Sequence, residues 1–438
     1  MKVCDWTALD ERGRDAVLAR PAVSDDAELQ RTVGAILDDV ARRGDEAVRD
    51  YTRRFDGVEL ADVTVGEAEF DAAATALDAD EIAAIELAVA QVRRFHESQR
   101  PSPIRVETAP GVVCERLPRP LDSVGLYVPA GTAPLPSAAV MLSVPAILAG
   151  CPNIVLATPP RPDGRADPAV LVAAASAGVR HVVRIGGAQA IAAMAFGTAS
   201  VPRVVKLFGP GNAYVTAAKS QVAARADGAA IDMPAGPSEL MVIADATASA
   251  EFVAADLLSQ AEHGPDSQVL LVTPDGALAT RVAAAVQTQL KTLPRRDIAA
   301  AAIAHAAAIV TADLEACVAI ANRYAPEHLI VQTAAPEDLL GDIRNAGSVF
   351  LGRWTPESVG DYMSGTNHVL PTYGHARAYS GLGVDQFVRQ MTVQSLTAAG
   401  LGRIGPATVT LARLEQLEAH ARAVTLRLAA ADREESAA

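Results

Sequence analysis

Between Ser24 and Phe55, apolar side chains recur at Leu29, Val33, Ile36, Leu37, Val40 and Val48, close to helical spacing. Ser24, followed by Asp25 and Asp26, is placed to cap that stretch. The segment Glu67–Gln99 continues in the same manner with Leu77, Ile82, Ile85, Leu87, Val89 and Val92. Both stretches read as helical scaffold. From about Gly111 the texture changes, and short β-rich runs alternate with Ala-rich helical runs. SVGLYVP (123–129) precedes a Gly/Pro turn and a helix over 138–149, and NIVLATPP (153–160) precedes a helix over 168–177. HVVRIGG (181–187) leads into AQAIAAMAFG, and RVVKLFGPG (203–211) into NAYVTAAKSQVAAR. A second block follows with ELMVIAD (239–245), QVLLVTP (268–274), AIVTAD (308–313), HLIVQT (328–333) and AGSVFLG (346–352) around further helices. This alternation predicts two open α/β units with parallel sheets, whose ligands are expected beyond the carboxyl ends of the strands. The C-terminal stretch reads as helical.

The length of 438 residues suggests about three domains. Half the residues are apolar and 21% are charged, which excludes global disorder and permits sizeable cores. Lys and Arg number 38 against 52 Asp and Glu, a net charge of −14. That balance argues against nucleic acid or an anionic membrane as the main partner, although a local site can still bind an anionic cofactor. The first residues lack the pattern of a signal peptide. The apolar stretch Ala138–Gly150 is too short to span a bilayer and contains Pro145. The four cysteines, Cys4, Cys114, Cys151 and Cys317, are scattered without a CxxC, as expected of reduced thiols in a cytoplasmic protein. A metal in such a chain must be held by histidine, carboxylate and amide groups.

The single GxGxxG, Gly400-Leu-Gly402-Arg-Ile-Gly405, follows no convincing strand and has too little chain after it for a βαβ unit. It reads as a flexible loop before the final helix. Better dinucleotide candidates are three strand ends: Tyr127 before Pro129-Ala130-Gly131, Gly186-Gly187 with Gln189, and Gly209-Pro210-Gly211-Asn212. Each also reads as an ordinary packing turn. In SQAEHG, Gln260 and His263 are i,i+3 and share a helix face, suited to one ligand or metal or simply to a helix end. Glu327-His328 opens a strand, and such a pair can move protons near neutral pH. Asp361 is a candidate metal ligand in a Gly-punctuated loop, with His368 a candidate neighbour; the loop also reads as an Asx turn with a surface histidine. On the final helix, His420 lies on or beside a stripe of Leu411, Leu414, Leu417, Val424 and Leu428, the usual place of a core or interface histidine.

Taken together, YVPAGTAPLPSAAVML, GGAQAIAAMAFGT, GPGNAYVTAAK, IDMPAGPSEL, DLLSQAEHG, YAPEHL, GSVFLG, GDYMSGTNHVLPT and LEAH closely resemble the L-histidinol dehydrogenases, in that family's order. The chain departs from the usual family residues at Ala130, Leu135, Val205 and Ile330, none a position assigned a role below. The resemblance implies two incomplete Rossmann-like parallel-sheet domains with helical N- and C-terminal extensions, and oxidation of L-histidinol through L-histidinaldehyde to L-histidine with NAD+. It implies Zn2+, one per subunit, held by Gln260, His263, Asp361 and His420, the last from the partner subunit of a homodimer. Glu327 and His328 match the acid–base pair. Ser238, Gln260, His263, His328, Asp361, Glu415 and His420 match substrate-binding positions, and Tyr127, Gln189 and Asn212 match NAD-binding ones. The expected division is a helical extension over 1–25; a discontinuous α/β domain over 26–122 and 239–380 carrying metal and catalytic residues; an NAD-binding domain over 123–238; and a helical tail over 381–438 that reaches the partner's site. Two competing readings are a same-fold dehydrogenase for another small polyol, such as a sulfonated diol, and a catalytically dead zinc- or nucleotide-binding protein. The intact Glu327, His328 and ligand positions argue against the latter.

Overall fold

Glu239–Ala244 and Gln268–Thr273 are buried at every position, and their interiors, Leu240–Ala244 and Val269–Val272, are apolar without alternation, as parallel strands covered on both faces must be. Numbered along the chain they are β9 and β10. With β1 (Lys2–Asp5), β11 (Ala307–Val310), β12 (His328–Gln332) and β13 (Ser348–Leu351) they form a six-stranded parallel sheet ordered β1-β11-β10-β9-β12-β13. A second, five-stranded parallel sheet contains β4 (Ser123–Tyr127), β5 (Asn153–Thr158), β6 (Val182–Arg184), β7 (Lys206–Phe208) and β8 (Ala230–Ile231), ordered β6-β5-β4-β7-β8. Chain order reverses between β4 and β7, so the crevice at their carboxyl ends is the topological switch point. The structure, a computed structural model, describes residues 1–20, 27–130, 133–233 and 236–437. The expected cap at Ser24 lies outside the described residues. Among those residues no helix is long and apolar enough to cross a membrane.

Both sheets belong to one compact unit, Met1–Gln99 with Leu121–Phe387. The second unit, Arg100–Pro120 with Val388–Ala438, holds an antiparallel sheet of β14 (Val388–Leu396), β3 (Val112–Pro120) and β2 (Ile104–Ala109), in that order, and the helices Ala398–Leu414 and Glu418–Ala437.

Several expectations change. The N-terminal segment is not simply helical: β1 pairs in parallel with β11 at the edge of the six-stranded sheet before the helix Glu11–Leu18 begins. Residues 27–97 do not belong with that sheet. The helices Ala27–Arg43 and Asp45–Asp56 pack on Gly187–Phe196, and Glu67–Ala76 and Ala79–Glu97 pack on Pro168–Ala177 and Pro136–Ala149. Val33, Ile36, Leu37 and Val40 accordingly share a core with Ile191 and Met194. Gly400–Gly405 is helical, capped by Thr397, and not a flexible loop. A Cβ on Gly400 would meet the Gly111 carbonyl oxygen at 2.2 Å, so this glycine is there to let the hairpin turn approach. The final helix is also two helices, broken at Glu415–Leu417 with Gln416 at φ 61°. The leucine stripe therefore spans two elements, and Leu411, Leu414, Leu417 and Leu426 are exposed on this single chain.

Candidate active site

Glu327 and His328 sit where β12 begins, and the parallel register sets His328 opposite Leu240 of β9. That register brings the Glu239 backbone between the two side chains. Its N–H donates to Glu327 Oε2 at 2.8 Å, and its carbonyl oxygen lies 3.1 Å from His328 Nδ1. A carbonyl can only accept, so Nδ1 carries the hydrogen and Nε2 keeps its lone pair. Nε2 is buried without a hydrogen-bond partner among the described residues. It lies 3.9 Å from Asp361 Oδ1 and 4.0 Å from Glu357 Oε1. Burial holds the His328 imidazole below its ordinary pKa, so it is neutral at pH 7. Burial, reinforced by the charges of Glu239, Asp361 and Glu357, pushes the Glu327 carboxyl well above the usual carboxylate range, against the effect of the Glu239 N–H. A carboxyl raised in this way is a stronger base once ionised.

Glu357 and Asp361 are i,i+4 on the short helix Glu357–Tyr362, and both are buried. Donor atoms of His263, Glu357 and Asp361 all lie within 4.8 Å of one another. His263 follows the carboxyl end of the Ala250–Ala261 helix, and Gln260 lies in that helix's last turn. The Gln260 side chain is fully buried with neither amide atom hydrogen-bonded among the described residues. Burial first, and Glu357 second, raise the Asp361 carboxyl strongly. His368 Nδ1 donates to the Asp361 carbonyl at 3.1 Å, and burial pushes its imidazole down to about 4. Ser259 Oγ lies 3.0 Å from Glu357 Oε2. Buried carboxylates without a facing cation are costly, and a helix carboxyl end favours positive charge. An orphaned amide, a histidine and two carboxylates therefore fit a divalent cation.

The cluster lies at the amino ends of β9, β12 and β13, not beyond carboxyl ends as expected. The reason is the course of the Ala250–Ala261 helix, which runs back from β9 and returns Gln260 and His263 to the edge where β9 started. The second sheet does use its carboxyl edge. Tyr127 ends β4, and its hydroxyl accepts the Gly187 N–H at 3.0 Å; burial pushes the phenol up to about 12. Gln189 is buried with Oε1 unpaired among the described residues. Asn212 caps the helix Ala213–Ala224, accepting from Tyr214 and Val215 N–H at 3.1 Å each. Gly209 opens the same turn at φ 115°, and a Cβ there would lie 2.2 Å from the Tyr127 carbonyl oxygen. A buried Lys219–Asp232 pair brackets it: Lys219 Nζ donates to the Gly209 carbonyl at 2.7 Å and to Asp232 at 2.6 Å, while Asp232 accepts the Gly209 N–H at 2.8 Å.

Ser238 is half-buried beside Glu239, and Glu415 and His420 are exposed residues of the second unit. Sequence reasoning missed Glu357, whose i,i+4 relation to Asp361 was a usable signal once 357–362 is helical. It also missed Glu239 and Arg20. Arg20 donates to the Glu239 carboxylate at 2.5 and 3.0 Å, a long-range pairing with no local pattern.

A sequence model of the family described as Histidinol dehydrogenase matches residues 19–428. The histidinol dehydrogenase of Xylella fastidiosa (strain Temecula1) is 56% identical over 431 residues, covering 98% of this chain and 100% of that protein. A bifunctional histidine-biosynthesis protein of Photorhabdus laumondii is 55% identical over 425 residues, 97% of this chain; the chain spans about half, 52%, of that longer relative. The crystal structure of histidinol dehydrogenase from Elizabethkingia anophelis superposes with a TM-score of 0.95 at 44% identity, covering 99% of each chain.

Proposed function

The chain belongs to the histidinol dehydrogenase family, and we propose from that premise that it oxidises L-histidinol through L-histidinaldehyde to L-histidine, passing two hydrides to two molecules of NAD+. The observation that carries this reading is the neutral, fixed His328 beside an acidic, cation-demanding cluster. Gln260, His263 and Asp361 are the residues of this chain that would hold Zn2+, with Glu357 at the same place and His420 supplied by the partner subunit's tail. Bound Zn2+ would position the substrate's nitrogens, and bound NAD+ would accept hydride.

The chain's own groups move the protons. His328 Nε2 takes the hydroxyl proton as hydride leaves the same carbon. Glu327 takes a proton from the water that adds to the aldehyde, while protonated His328 returns its proton to the aldehyde oxygen, giving a neutral hydrate and freeing Nε2 again. His328 then deprotonates the hydrate as the second hydride departs, and water has entered once. The Glu239 backbone keeps both side chains aligned throughout. Ser238, Glu415 and His420 complete the substrate contacts. Tyr127, Gln189 and Asn212 meet the dinucleotide at the switch-point edge.

A homodimer is the assembly this reading requires, and the exposed Leu411, Leu414, Leu417 and Leu426 support burial against a second chain. Free cysteines support residence in the cytoplasm. Steady NADH formation with L-histidinol, compared with a sulfonated diol, tests the reading; turnover of the diol alone would overturn it.

A further inference from the structure

We infer that Asp56 is a further dinucleotide-contacting residue, one that accepts a ribose hydroxyl of NAD+ and disfavours a 2′-phosphate; this rests on the NAD+ reading above. In a doubly wound sheet the ribose is met by an acidic residue at the end of the second strand. Here the second strand is β5, and it ends in Thr158-Pro159-Pro160, with no carboxylate. Asp56 brings one to that place from outside the sheet. It is the last residue of the helix Asp45–Asp56, which Gly57 ends in the left-handed conformation. A Cβ added to Gly186 would lie 2.9 Å from Pro159 Cγ and 3.4 Å from Asp56 Oδ1. The carboxylate, the end of β5 and the turn that opens the Gly187–Phe196 helix therefore converge. The charge also reaches the Tyr127 phenol, at the end of the first strand.

Two features are poorly explained by stability alone. Asp56 Oδ2 is buried without a hydrogen-bond partner among the described residues. A carboxylate at the carboxyl end of its own helix is also unfavourable to that helix dipole. Burial raises the group to about 6, the mark of a carboxylate whose donors are not supplied by the protein. A ribose hydroxyl would supply one, and a 2′-phosphate would instead meet like charge.

The test is steady-state kinetics of the metal-loaded enzyme with saturating L-histidinol, varying NAD+ and NADP+, for wild type, Asp56→Asn and Asp56→Ser. The expected result is a KM for NAD+ raised roughly tenfold in Asp56→Ser, the loss of one charge-assisted hydrogen bond. Both variants should lose roughly tenfold or more of the preference for NAD+ over NADP+. The KM for L-histidinol and the melting midpoint should stay at wild-type values. Unchanged NAD+ kinetics and unchanged preference in both variants would overturn the inference, leaving Asp56 as a complement to the neighbouring helix N-terminus. A lower melting midpoint with unchanged preference would overturn it in the same way. If wild type forms no NADH, the NAD+ reading fails and this inference fails with it; if wild type is active and only the variants are silent on preference, the inference alone fails.

Discussion

Glu239 is the pivot of the proposed chemistry, because its backbone aligns Glu327 and His328 while its own side chain is buried. Arg20 holds that carboxylate through Nε at 2.5 Å and Nη2 at 3.0 Å, and the Tyr373 N–H adds a third donor at 2.8 Å. Arg20 also donates to the Tyr324 carbonyl at 2.9 Å and lies 3.9 Å over the Tyr324 ring. Arg20→Met keeps the aliphatic stem and removes the charge. It leaves a buried carboxylate with one of its three donors. Breaking a buried pair of this kind costs about 3–5 kcal/mol, the price of one uncompensated charge. The side chains are 13% and 2% exposed, so little of that is relieved by solvent. Urea unfolding of wild type and Arg20→Met measures the loss as a lower midpoint. Turnover should fall as well, since the strand start that orients His328 loses its anchor. Adding Glu239→Gln to Arg20→Met should recover much of the stability, because a neutral amide replaces the stranded charge. A loss below about 1 kcal/mol, the range of exposed pairs, together with unchanged turnover would refute the reasoning.

Exhaustive chelation should abolish activity and Zn2+ should restore it, while metal analysis of His263→Asn should show reduced occupancy; full activity without bound metal would contradict the cation site. Gly209→Ala must place a Cβ 2.2 Å from the Tyr127 carbonyl at φ 115°, so it should raise the KM for NAD+ and lower the melting midpoint. Unaltered values of both would remove the turn from the dinucleotide site. His420→Ala and His263→Ala homodimers should each be nearly inactive, and verified mixed dimers should regain up to about half of wild-type activity, since one site then has both defects and the other neither. Mixed dimers as inactive as their parents would show that His420 does not complete a partner's site.

The alternation of strands and helices was legible because buried parallel strands are written as uninterrupted apolar runs, and β9 and β10 are such runs. The antiparallel sheet of the second unit was not, because β2 and β14 are exposed at most positions and leave no inside-outside alternation to read. The Gly400–Gly405 helix defeated local propensity: glycine favours loops, yet here it lets two backbones meet. Gln260, His263, Glu327, His328 and Asp361 stood out as polar groups at element ends. Glu357 did not, because one more acidic residue in an acidic chain carries no signal until the helix places it four residues before Asp361. Arg20 and Asp56 act through contacts far along the chain, Arg20 219 residues from Glu239, and no local pattern encodes those. The edge of the sheet used by the cluster was also hidden, since it depends on the return course of a helix.

The central claim is that His328 Nε2, freed by the hydrogen bond from Nδ1 to the Glu239 carbonyl, is the base for both oxidations, and that Glu327 activates water only for the second. Turnover of L-histidinol and of L-histidinaldehyde should therefore be measured separately, as NADH formed in His328→Asn and Glu327→Gln. His328→Asn should slow both half-reactions by ~10²–10⁴-fold, whereas Glu327→Gln should slow aldehyde oxidation by that order and alcohol oxidation far less. Equal and slight effects of both substitutions on both half-reactions would contradict the account.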